Sequence, residues 1–186
     1  PGSAGQALAD PVKEVEALAK AANDPGLKAR IEGVGTVIKA NIQARNEQRD
    51  RSAKSEIRVG AYLAKKVMED RTKVARLQDF LKQAGLPEAI KKDTADNLKV
   101  SSENLDATLN YVIDTLKQIG LDYPTQTIAS QGEILKREFE ARSVPNYGPV
   151  VDLVVRLSQS ARNGKPIDKS ALLADLAKVD TSKGNK

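Results

Sequence analysis

The sequence predicts an all-α protein: an elongated helical bundle of about five to seven helices, at least two of them long and antiparallel. Three observations lead there. Hydrophobic residues make up 40% of the 186 but aromatics only 3%, an aliphatic and alanine-rich mix that suits helix-on-helix packing better than sheets. Apolar positions recur at helical and heptad spacing over long stretches. The single strand-like run, Val150-Val151-Asp152-Leu153-Val154, has no second run to pair with, so its backbone would go unsatisfied in a sheet and a buried helix is expected. At this length roughly 70% of the unfolded surface can be buried, enough for a real core.

The first helix signal is Asp10-Pro11, an N-cap acceptor followed by proline at the first helical position, with Val12, Val15, Leu18 and Ala22 behind it. Asp24-Pro25-Gly26 reads as its stop. A second stripe runs through Leu27, Ile31, Val34, Ile38 and Ile42, where Gly33 and Gly35 either weaken the helix or admit a close neighbour.

Neither Gly nor Pro occurs from Thr36 to Val59, and between Gln43 and Glu56 the only apolar side chains are alanines. Nothing in that stretch asks for burial. The pairs Glu47/Arg51 and Asp50/Lys54 place acid before base at i,i+4, which fits an exposed helical arm, with a polar turn as the alternative. Leu63, Val67, Val74, Leu77 and Leu81 then keep a seven-residue beat in which Asp70 takes a seam position, the mark of a residue that sets register.

The cleanest pattern follows: Leu98, Leu105, Val112 and Ile119 at heptad spacing, with Leu109 and Leu116 between them. Both long helices close alike, in Leu81-Lys82-Gln83-Ala84-Gly85-Leu86 and Leu116-Lys117-Gln118-Ile119-Gly120-Leu121. Convergence on a glycine C-cap is expected rather than an internal duplication, because the similarity fades outside the cap. Three shorter helices are expected after Pro124: one marked by Ile128, Ile134, Leu135 and Phe139, one opening at Pro149, and one capped by Asp168 through Leu172, Leu173, Leu176 and Val179.

These elements form one expected domain, residues 10–180, open to subdivision into a long-helix part, 10–121, and a short-helix part, 125–180. Residues 1–9 and 181–186 read as disordered tails. Pro1-Gly2-Ser3 resembles a scar of tag removal, and Met68 is the only methionine.

Composition also bounds the chemistry. The chain has no histidine, no cysteine and no tryptophan. Triads built on histidine, thiol nucleophiles and Cys/His zinc sites are excluded, no calcium-loop pattern is present, and no cofactor or metal is expected. Glu138 and Glu140, two apart on a helix, point to different sides and cannot converge on one atom. A non-enzyme is expected. No stretch has the length and apolarity of a membrane span or a signal peptide, and the absence of cysteine suits a cytoplasmic protein as well as a bacterial periplasmic or secreted one, so localisation stays open.

The net charge of +5 is unevenly placed: residues 1–93 carry 18 basic and 13 acidic side chains, residues 94–186 carry 12 of each. Arg45, Arg49, Arg51, Lys54 and Arg58 concentrate the surplus, followed by Lys65, Lys66, Arg71, Lys73 and Arg76. A solvated helix face explains this better than nucleic acid, since acids are interleaved and Tyr62 is the one aromatic nearby. The loop Ser143–Pro149 is the other distinctive feature, stiffened by two prolines and offering Val144, Asn146 and Tyr147 either as a docking surface or as a turn whose tyrosine covers the core. The leading expectation is therefore a non-catalytic protein–protein interaction module, in a bacterial secretion or surface-assembly setting, that binds another protein through Arg45, Arg49, Arg51, Lys54, Arg58, Val144, Asn146 and Tyr147. The alternative is a basic nucleic-acid or anionic-surface binder using residues 45–76.

Overall fold

The computed structural model describes residues 10–144 and 146–181. Among them are six helices and no strand: α1 (Pro11–Ala21), α2 (Pro25–Leu81), α3 (Glu88–Asp122), α4 (Thr125–Ala141), α5 (Gly148–Arg162) and α6 (Lys169–Thr181). The all-α prediction holds, valine run included. The tails expected at 1–9 and 182–186 lie outside the described residues, whereas Thr181, assigned to the C-terminal tail, is the last residue of α6.

The described residues form two compact units, one ending at Arg49 and the other beginning at Asp50. In the first, α1 starts where expected, the Asp10 carboxylate accepting from the Val12 amide at 3.0 Å. Asp24-Pro25 repeats the device, the Asp24 carboxylate accepting from the Leu27 amide at 2.8 Å. Helix α1 does stop just before this triplet, at Ala21, and the triplet also caps the start of α2. Gly35 lies beneath α1, where an added Cβ would stand 3.2 Å from Val15 Cγ1.

No polar turn interrupts α2, which runs 57 residues. Nor is its polar middle wholly solvated, because Ala53 is fully buried in the second unit. Alanine is what such a contact requires: apolar, and short enough to let a neighbouring helix close in.

The second unit holds α3 to α6 together with the Asp50–Leu81 stretch of α2. Its core joins Ile57, Val67 and Met68 of α2 to Leu109, Val112, Leu116 and Ile119 of α3, Ile128 and Leu135 of α4, the α5 valines, and Leu172 and Leu176 of α6. The long helices run antiparallel: Tyr123 at the end of α3 donates to Glu56 at 3.0 Å, and Ile119, one turn earlier, reaches the position of Gly60, one turn later. Burial, then the Glu56 carboxylate, pushes the Tyr123 hydroxyl up to about 12. Asp70 does fall in the α2 seam; one oxygen accepts from Lys66 at 3.3 Å and the other is buried with no partner among the described residues.

Helix α5 is the element that the others pack around. Gly60 of α2, Gly120 of α3 and Gly132 of α4 all face it, and an added Cβ would lie 3.2 Å from Val154 Cγ1, 2.5 Å from the Ser158 carbonyl oxygen and 2.5 Å from Val155 Cγ2 respectively. Gly120 is therefore not a left-handed cap. It sits buried inside α3, which continues to Asp122, whereas Gly85 alone of the two matched glycines has a positive φ, 77°. The far end of α5 clamps the α3–α4 corner: Arg162 donates to the carbonyls of Gly120 and Tyr123, at 3.1 and 3.0 Å, and Gln159 donates to that of Thr125 at 3.2 Å. The Gly120 and Tyr123 carbonyls lie at the C-terminal end of α3, where a helix leaves carbonyls without an intrahelical donor. Lys136 ties α4 to α5 through Asp152 at 2.9 Å and, with Glu133 also bound, is pushed up to about 12.

Alanine at Gly120 and at Gly33 should therefore act in opposite directions. Gly120→Ala drives a methyl into the Ser158 backbone and is expected to destabilise by about 1–3 kcal/mol, outweighing the roughly 1 kcal/mol that alanine contributes to an exposed helix. Gly33, whose added Cβ meets nothing within 4 Å, should gain that propensity, and urea unfolding followed by circular dichroism compares the two.

Candidate functional site

Lys54, Arg58, Tyr62 and Lys65 recur along α2 at three- and four-residue steps and so form one line of the helix, with Arg51 a turn ahead. Helix α4 lies beside that line. Its Glu138 carboxylate accepts from Lys54 Nζ through one oxygen and from Arg58 Nη2, at 2.8 Å, through the other. Each of the three side chains is about one-third exposed or less. The Lys54 hydrogen bond above all, and the charges of both cations, hold the Glu138 carboxyl below its usual value.

The next residue, Phe139, turns inward and is buried. Tyr147 stacks on it with ring centroids 4.6 Å apart, and Tyr62 meets both edge-on, at 6.0 Å from Phe139 and 5.5 Å from Tyr147. Lys65 Nζ stands 5.8 Å from the centre of the Tyr147 ring. Burial, followed by Tyr62 and Glu69, raises the Tyr147 hydroxyl above its ordinary range. One face of the cluster reaches solvent, with Tyr62 47% and neighbouring Val59 51% exposed.

The described residues that follow α4 are hydrogen-bonded back to it. The Ser143 and Val144 amides donate to the Glu140 and Phe139 carbonyls, both at 3.0 Å, closing the end of α4. Ser143 and Asn146 take positive φ, 53° and 70°. Asn adopts that region readily and serine does so at a cost. Tyr147 N-caps α5, its carbonyl accepting from the Val151 amide at 2.8 Å.

Of the residues singled out separately in the sequence, Tyr147 of the loop meets α2 at Tyr62 and Lys65, on the line that also carries Lys54 and Arg58. Val144 is half-buried against the core and Asn146 is exposed. Arg51 is exposed on the same face of α2, while Arg45 and Arg49 belong to the first unit. Sequence reasoning missed Glu138 and Phe139 as parts of this surface. It set Glu138 aside as half of an impossible carboxylate pair, although the only signal available was the same-face spacing of Lys54, Arg58 and Tyr62, which leaves two cations in want of an anion. Among the described residues no group of three or more His, Cys, Asp or Glu is placed to hold a metal ion, and no helix is long and apolar enough to cross a membrane. No family model, curated protein or solved structure matches the chain.

Because the folded-state pKa of Glu138 is depressed, the stability it contributes is complete above the unfolded value near 4.5 and is lost as pH falls through the lower folded value. Thermal midpoints measured from pH 7 down to pH 3 should drop more steeply for the native protein than for Glu138→Gln, which lacks the titrating group.

Proposed function

We propose that the chain is a non-catalytic interaction module that docks another protein through the α2–α4 surface around Tyr62 and Tyr147. The observation that supports this most directly is the aromatic cluster. Tyr62 presents apolar area to solvent on a rigid backing of Phe139 and Tyr147, with exposed Val59 one turn before it on α2, so little side-chain freedom is lost when a partner covers it. Aromatic anchors in preorganised surroundings are the usual carriers of interface energy. The margin is mixed in sign, with exposed Arg51 on one side and exposed Glu69 on the other, so the apolar centre rather than net charge favours the partner.

The rival reading, a nucleic-acid or anionic-surface binder using residues 45–76, draws on exposed Arg45 and Arg51. It is weakened by Lys54 and Arg58, whose charge is already directed at Glu138.

Tyr62→Ala is expected to reduce retention of the partner in a pull-down by roughly tenfold or more with helicity unchanged. Tyr111→Ala, on α3 and 69% exposed, should leave retention alone. Retention indifferent to Tyr62 would remove this surface from the account. DNA or RNA binding whose log affinity falls steeply with log salt and weakens in Arg45→Ala/Arg51→Ala would favour the rival instead.

A further inference from the structure

The first unit has an unusual distribution of apolar area. Among its described residues only Ala19 and Gly35 are buried. Leu18 of α1 is 60% exposed, and on α2 Leu27, Val34 and Ile42 are 49, 54 and 37% exposed, with Ile31 and Ile38 half-buried between them. Two helices with so little enclosed have almost no core of their own.

Helical geometry sorts these side chains to one side. At 100° per residue, Leu27, Ile31, Val34, Ile38 and Ile42 fall within a single sector of α2. Glu16 and Lys39, bridged at 3.2 Å, mark the opposite side of the hairpin, along a groove of about 460 Å³ shared with Lys20, Lys28 and Glu32. In an antiparallel pair, positions displaced in the same angular sense from the contact line share a side, so Leu18, displaced oppositely to Glu16, joins the apolar stripe of α2. The hairpin is thus polar on one side and apolar on the other.

The margins of that apolar side differ in sign. On α1 it is edged by Glu14, one turn from Leu18, and on α2 by Arg30, one turn from Leu27 and Val34. Both are exposed. A second hairpin of the same chain, laid face to face with its α1 over this α2, sets each acidic margin against a basic one, which is the self-complementarity an isologous dimer requires. We propose that the first unit is a homodimerisation element in which the α1–α2 hairpins of two copies close into a four-helix bundle. This stands on the first unit alone and does not depend on the docking surface of the second.

Sedimentation equilibrium on the full chain tests it. The native protein is expected to dimerise, and Val34→Asp to weaken the dimer by roughly tenfold or more, the equivalent of one aliphatic side chain's burial. Ala40→Asp, at an exposed residue on the far side of α2 from the stripe, should leave it unchanged. Glu14→Lys and Arg30→Glu should each weaken association, and the two together should restore it. A monomer up to roughly 100 µM, a dimer insensitive to Val34→Asp, or a double charge reversal that fails to rescue would overturn the pairing. Tyr62→Ala should leave the dimer intact, which separates this result from failure of the docking reading.

Discussion

Packing in the second unit depends on how closely three helices approach α5. Gly60, Gly120 and Gly132 sit on different helices, yet each removes a side chain at the point where α5 passes. At Gly120 the obstacle to any Cβ is backbone, the Ser158 carbonyl and the Arg162 amide, so no rotamer change relieves it. Ser158 contributes from the other side, fully buried with a side chain barely larger than alanine. Dispersion falls off within an ångström of optimal contact, so this separation governs how well Val150, Val151, Leu153 and Val154 fill the centre of the core.

The same proximity lets α5 supply polar partners that a more distant helix could not. Arg162 reaches two carbonyls at the end of α3 while Gln159 reaches the start of α4, so the sharp α3–α4 corner is held by side chains of a helix that follows both in sequence. At the opposite end Tyr147 covers Phe139 just before α5 begins. The surface on α2 and α4 is therefore assembled on an element whose position is fixed by backbone contact. Its basic side chains are partly neutralised by Glu138, leaving the aromatic cluster as the feature that faces outward.

Much of the fold could be read from residue order. Heptad spacing in Leu98 to Ile119, the Asp10-Pro11 cap and the Asp168 cap each depend on local chemistry, and local chemistry is written in neighbouring residues; the Asp168 carboxylate accepts from the Ala171 amide at 3.0 Å as the pattern implies. Gly120 shows where this ends. A glycine after Leu116 and before Leu121 carries the local signature of a cap, and only the tertiary approach of Ser158 reveals that it is a contact point inside a continuing helix. Asp24-Pro25-Gly26 was legible in part: α1 stops just before it, at Ala21, while its second role, capping the start of α2 through the Asp24 carboxylate, was not read. The surface itself was half legible. Tyr147 and Lys54 could each be marked, but Glu138, which lies 84 residues from Lys54 in the chain, joins them only through the packing of α4 on α2.

Tyr147 has two roles at once: its ring covers the aromatic cluster, and its carbonyl accepts the first hydrogen bond of α5. A protein seated on Tyr62 would immobilise that ring and so discourage fraying of α5 at its first turn. Occupancy at the surface and opening of the interior are then thermodynamically linked, each suppressing the other. The amide protons from Val151 to Val154, the first that the α5 ladder holds, would then report whether the outside of the molecule is engaged.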